Sequence, residues 1–355
     1  STNEGDVTCR DNASSISVMV GGIAGQVNGT IADCRNSGNV AASVKCNYLY
    51  VGGIAGVAYG ANNNYKSTVQ GCTTDGEHTI RTETGSDVTE MRVGGIVGSE
   101  AGNVYGCANY SNVSTQGKAA ALFSGGMFGV VGGNNTNPSI LCCHNRGNVT
   151  NTATASNNSN VGGFAGKLDL GIISITGTYS VAQSISDTSS TKTKHTGTFV
   201  GIVNPKPDKI TLQDCYVTAV TGVSSWKMGG DPTSGTVTTM TTAEMQTPET
   251  ANKLNEHLSG DCGYRFAYRA GDYPAIEKKP FDRAQDKPHT MPDRKMARTE
   301  IGAIYLMANT RTLNQKVRLR LSAETDDRKI SSLTSDLCIF QPTNNTTTSP
   351  ANGMR

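Results

Sequence analysis

Val20-Gly21-Gly22-Ile23-Ala24-Gly25 decides how this chain is read, because close copies of it return five times. They are Val51-Gly52-Gly53-Ile54-Ala55-Gly56, Val93-Gly94-Gly95-Ile96-Val97-Gly98, Ser124-Gly125-Gly126-Met127-Phe128-Gly129, Val161-Gly162-Gly163-Phe164-Ala165-Gly166 and a worn sixth, Thr196-Gly197-Thr198-Phe199-Val200-Gly201. Their starts lie 31, 42, 31, 37 and 35 residues apart. That is the period of a stacked-repeat architecture.

A second signature follows the hexapeptide, as in Cys34-Arg35-Asn36-Ser37-Gly38-Asn39-Val40, Cys107-Ala108-Asn109-Tyr110-Ser111-Asn112-Val113 and Cys143-His144-Asn145-Arg146-Gly147-Asn148-Val149. The hexapeptide, the run ending in Cys and the run beginning Asn-Val are each read as one short strand, with Asn and Gly between them where the chain turns. Three strands and three corners make one rung of an all-β, right-handed parallel β-solenoid over residues 1–220. Ile23, Ile54, Ile96, Met127, Phe164 and Phe199 then form one apolar column. The glycines beside it leave room where walls approach closely. A single rung buries too few side chains to offset the ordering of its backbone, so the rungs fold only together.

Cys9, Cys34, Cys72, Cys107, Cys143 and Cys215 are read as one repeat position and hence one column, with neighbours about 4.8 Å apart. In-register side chains run parallel and keep their Cβ atoms beyond the separation a disulfide prefers. A stacked, reduced, buried column is the expectation, with a bridge or a bound metal as the lesser alternative. Cys142 and Cys143 alternate across a strand, one toward the core and the other toward the surface.

The 41 glycines make up about 12% of the chain, well above ordinary usage, and 39 of them precede residue 277. Charge is distributed the other way, with 23 charged residues in 277–355 against six in 121–200. The repeat region is therefore close to neutral, which gives no electrostatic reason to expect a nucleic-acid partner. No apolar run is long enough to span a bilayer. The chain lacks an initiating Met and begins inside a repeat, so it reads as a fragment.

Residues 221–276 are read as a connection followed by a small α+β cap over the last rung. Ser224-Ser225-Trp226 and Gly229-Gly230 lie in the irregular part. Thr247 is the expected N-cap of a helix with Pro248 at its first position, Leu254 and Leu258 on one face and Gly260 at its close. Tyr264 to Arg269 is the expected strand. The charged tail, 277–355, is expected to be poorly ordered or outside the fold.

With its Cys-x-Asn-x-Gly-Asn-Val partner, the hexapeptide resembles the GLUG repeat of bacterial cell-surface proteins, a repeat also found beside the catalytic part of IgA-specific metallopeptidases. The resemblance covers about residues 7–220. It rests on Gly21, Gly22, Gly25, Gly52, Gly53, Gly56, Gly94, Gly95, Gly98, Gly125, Gly126, Gly129, Gly162, Gly163 and Gly166 with the columns named above. It implies an extracellular or cell-surface location and a non-catalytic adhesin or stalk whose partners are glycans or surface proteins.

No residue is expected to be catalytic, to hold a cofactor or to ligate a metal. The five histidines are scattered, and His-Glu-x-x-His is absent. The enzymatic alternatives are a polysaccharide lyase or hydrolase, for which Asp75, Glu77, Glu83, Asp87 and Glu90 are the available acids, and an accessory region of a secreted metallopeptidase. Tyr48, Tyr50, Tyr59, Tyr65 and Tyr110 are read as turn and wall residues first and as sugar-stacking residues second.

Overall fold

The computed structural model describes residues 1–59, 66–191, 193–205 and 209–280. These belong to one compact unit, Ser1–Asp282. The tail expectation from residue 281 onward lies outside the described residues.

The chain winds into a right-handed parallel β-solenoid of about six turns. It has three walls: a valine wall of ten strands, a glycine wall of seven and a cysteine wall of 11. One turn runs along Val40–Gly52 on the valine wall, crosses to Ala55–Ala58 on the glycine wall, and continues through Thr68–Gln70 and Thr73–Thr74 on the cysteine wall. It then re-enters the valine wall at Thr79–Thr82. Register is kept without slippage at the decisive places: Val20, Val51, Val93, Ser124, Val161 and Thr196 stack in one ladder.

The hexapeptide is a corner and not a strand. Its first Val-Gly ends a valine-wall strand, its last residues begin a glycine-wall strand, and the chain bends between them. The reason is steric. A Cβ on Gly53 would lie 2.1 Å from the Gly95 carbonyl oxygen and 2.5 Å from Thr74 Cγ2. One on Gly52 would lie 1.9 Å from the Ala55 oxygen, and one on Gly56 2.7 Å from the Gly25 oxygen. All three glycines of the motif are thus fixed by close backbone approach at the corner.

At each corner the apolar residue points inward and its N–H donates to its counterpart one rung on. Ile54 donates to Ile96, Ile96 to Met127, Met127 to Phe164 and Phe164 to Phe199. Phe199 then donates to the Trp226 carbonyl at 3.1 Å, and Trp226 packs on the same core. Residues 221–240 are mostly irregular, but two short strands in them continue the solenoid. Met228–Gly229 and Val237–Met240 extend the glycine and cysteine walls.

On the cysteine wall the residue before each column position has a left-handed backbone: Asp33, Gly71, Gly106, Cys142, Gly177 and Asp214, with φ between 51° and 61°. The kink breaks the in–out alternation and turns the next side chain into the core. Each thiol then donates to the carbonyl two residues back, Cys34 to Ala32, Cys72 to Gln70, Cys107 to Tyr105, Cys143 to Leu141 and Cys215 to Gln213, at 3.3–3.4 Å. These cysteines are free thiols, and burial pushes Cys215 up to about 12.

Thr178 fills the column where the fifth unit lacks Cys, donating to Cys215 Sγ. Cys9 is not in the column. Its strand, Val7–Gly21, pairs Val7 with Val40 and places Cys9 beside Ala42 on the valine wall.

The Asn two residues past Cys34, Cys107 and Cys143 is buried, and with Thr74 two residues past Cys72 these side chains form a second ladder. Asn109 Nδ2 donates 2.8 Å to Asn145 Oδ1, while Asn109 Oδ1 accepts from the Ser111 N–H and Asn145 Oδ1 from the Gly147 N–H. These side chains occupy the space facing the second glycine of the corner: a Cβ on Gly95 would lie 2.3 Å from Asn109 Cγ. The two motifs of the repeat are one packing unit.

The α+β segment covers a flank of the solenoid and not its last rung. Helix α1, Thr242–Met245, begins with a reciprocal capping box between Thr241 and Glu244. Helix α2, Pro248–Asn255, has Thr247 as N-cap and Pro at its start as expected, but it ends five residues before Gly260. An antiparallel hairpin of Tyr264–Arg269 and Asp272–Lys278 follows, two residues longer than the reading that ended at 276. Leu254, Met245, Cys262, Tyr264 and Phe266 bury themselves against Leu141, Cys142, Tyr179 and Tyr216, which the cysteine wall turns outward. Cys142 faces away from the core because the left-handed kink at its own position turns only Cys143 inward, yet it is fully buried beneath this segment.

Candidate ligand-binding face

Two rows of side chains lie beside each other on the valine wall. Ser17, Tyr48, Glu90, Ala121, Asn158 and Thr193 form one ladder, and Met19, Tyr50, Arg92, Phe123, Asn160 and His195 the other. Residues two apart on a strand share a face, so Tyr48 and Tyr50 stand side by side. Their ring centroids are 6.5 Å apart with planes only 8° from parallel. Tyr48 is 38% exposed and Tyr59 41%.

Arg92 holds the platform. Its guanidinium carbon lies 5.4 Å from the Tyr50 ring centroid, its Nε donates to Glu90 Oε1, and an η nitrogen donates to Ser99 Oγ at 2.8 Å. Burial raises the Tyr50 phenol against the opposing pull of Arg92. One rung on, Lys167 repeats the arrangement over Phe123 at 5.4 Å and pairs with Asp169 at 2.9 Å. Beyond it, His195 Nδ1 and Asn160 Oδ1 are 2.8 Å apart.

In the same strands, two residues upstream of the Tyr48–Glu90–Ala121 row, Cys46, Val88 and Ala119 help line a shallow depression of about 400 Å³. Asp87, Thr89, Lys118 and Thr154 supply its hydrogen-bonding groups. Flat aromatic surface beside a carboxylate, an ammonium and hydroxyls is what a neutral polyhydroxylated ligand requires: stacking for its C–H faces, donors and acceptors for its hydroxyls.

The structure separates the carboxylates that the sequence places close together. Asp75 pairs with Arg35 at 2.7 Å and is held below the usual carboxylate range by that contact and by the Glu77 N–H. Glu83 lies 3.4 Å from Arg10 and 3.5 Å from Arg81, Glu90 pairs with Arg92, and Asp87 lines the depression with Lys118. Tyr110 is not on this face. It lies on the cysteine-wall flank, edge-on to His144 at 5.3 Å with Arg146 over its ring. Tyr65 lies outside the described residues.

Two further sets of polar contacts, both made by the α+β segment with the cysteine wall, have no signal in the sequence. Arg146 Nη1 donates to Asp272 at 3.0 Å, Nη2 to the Tyr273 carbonyl at 3.0 Å, and His257 Nδ1 lies 2.8 Å from Asp214 Oδ2. Glu256 brings a third metal-ligating type of group within 4.8 Å of the latter pair. These contacts join residues 126 and 43 positions apart, and no local motif announces them.

No protein-family model, no curated protein and no solved structure matches this chain. Among the described residues no helix is long and apolar enough to cross a membrane.

Proposed function

We propose that this chain is a non-catalytic recognition region of a bacterial surface or secreted protein, an adhesin or stalk of GLUG type that binds glycans through the Tyr48–Tyr50 face. The observation that carries the reading is the part-exposed pair of parallel tyrosine rings, fixed from behind by Arg92 and flanked by the Asp87–Lys118 depression. Aromatic stacking of this kind contributes about 1 kcal/mol per ring, so single-site affinity is weak and a multivalent display strengthens it. The same outer groups also fit a protein partner, and a glycan array separates the two.

The test is a glycan array followed by titration of each hit against the parent chain and the variants Tyr48→Ala and Lys118→Ala. Binding that falls at least about fivefold in both variants, without release of reducing or unsaturated ends, supports recognition. Turnover abolished by Asp87→Asn would replace it with the polysaccharide lyase or hydrolase reading. An array without a hit would leave a spacer role and end the glycan proposal.

A further inference from the structure

We propose that Cys142 and Cys262 are the sites of an oxidative modification, a disulfide that clamps the α+β segment onto the flank of the solenoid. Cys142 occupies the left-handed position of its rung, where the other rungs carry Gly or Asp, so its side chain points out of the solenoid into the flank cluster. Cys262 ends the short 3₁₀ turn Gly260–Cys262 and enters the same cluster from the other side. Their side chains are 0% and 2% exposed and are buried together in that one cluster, approached from the wall by Cys142 and from the segment by Cys262. The five column thiols face the interior of the solenoid instead, where each donates to the carbonyl two residues back along its own strand.

The chemistry is thiol–disulfide exchange with a small-molecule disulfide as oxidant. Cys262 ionises first, its thiol held low by the hydrogen bond from Cys142, and the Lys279 ammonium favours the thiolate of both. Its thiolate attacks one sulfur of the oxidant and expels a thiolate. Cys142, once deprotonated, attacks the Cys262 sulfur of the mixed disulfide and expels the second. The protein loses two electrons and two protons, and the oxidant leaves as two thiols. Burial means that the exchange proceeds through local opening of the segment or before it docks. The link then closes about 120 residues of chain and keeps the segment from leaving the wall.

The test uses the full chain incubated with oxidised glutathione in mild urea, then alkylated and digested without reductant. Mass spectrometry is expected to find the Cys142 and Cys262 peptides joined, with Cys34, Cys72, Cys107, Cys143 and Cys215 recovered as alkylated thiols. Proteolysis within residues 241–279 is expected to slow about tenfold or more relative to the reduced protein. Cys142→Ser should leave a glutathione adduct on Cys262. Recovery of both thiols free, or pairing of either with another cysteine, would overturn the proposal. If the Ser variant does not fold, the peptide map of the unmodified chain decides alone.

Discussion

His144 stacks flat on Tyr179 one rung away, with ring centroids 4.7 Å apart and planes 7° from parallel, at the centre of the surface that receives the α+β segment. Tyr179 donates 2.6 Å to the Pro274 carbonyl and accepts from Arg146, whose charge also pairs with Asp272. Tyr110 and Phe266 enclose the imidazole on its other sides. Burial and the nearby Arg146 charge depress His144 well below its ordinary value.

The sign of that shift sets an acid sensitivity. In the unfolded chain His144 takes up a proton below its usual pH of about 6.5, whereas in the folded flank it stays neutral, so stability falls as pH drops below about 6.5. Protection factors of residues 264–278, with the intrinsic pH dependence of exchange divided out, are expected to fall from pH 6.5 to pH 5, and His144→Phe should flatten that profile. Tyr179→Phe keeps the stacking and loses the bond to Pro274, with an expected cost of about 1–2 kcal/mol in urea denaturation.

Glu100 titrates in the opposite sense. It is fully buried on the glycine wall in line with Ala58 and Val131, one carboxyl oxygen accepting from the Gly102 N–H and the other without a partner among the described residues. Desolvation pushes it up to about 8. The folded protein therefore holds a proton that the unfolded chain releases, and stability declines as pH rises from about 4.5 to about 8. Glu100→Gln should remove that decline and gain a few kcal/mol at pH 8.5 relative to the parent, measured by chemical denaturation.

Gly53→Ala tests the corner. Its Cβ has only the Gly95 carbonyl and Thr74 to move into, so a loss of about 3 kcal/mol or failure to fold is expected. Gly29→Ala, with open space around its Cβ, should stay within about 0.5 kcal/mol. Equal effects of the two would show that the glycines are not fixed by corner packing.

Trp226→Ala removes the seventh member of the apolar column. The expected cost is about 3 kcal/mol, together with concentration-dependent association in light scattering, because the end of the stack loses its largest cover.

The sequence by itself determined the stack. A motif returning every 31 to 42 residues names the rung, the inward column and the glycines, because each copy must meet an identical neighbour and the same side-chain volumes recur at the same height. It misread the hexapeptide as a strand because a run with paired glycines has the same composition whether it lies in a strand or bends between two. It misplaced Cys9 because one residue type stood in for a register. The Thr241-x-x-Glu244 capping signature is a local sequence signal for the start of α1.

What only the tertiary structure decided is everything that joins distant parts of the chain. This includes the segment's seat on the flank in place of the last rung, the burial of Cys142 against Cys262, and the Tyr48–Tyr50–Arg92 platform beside the depression. Stacking repeats itself, so it can be read from a period. A contact such as that of Arg146 with Asp272 occurs once, and its geometry exists only after both partners have been placed by the walls that carry them.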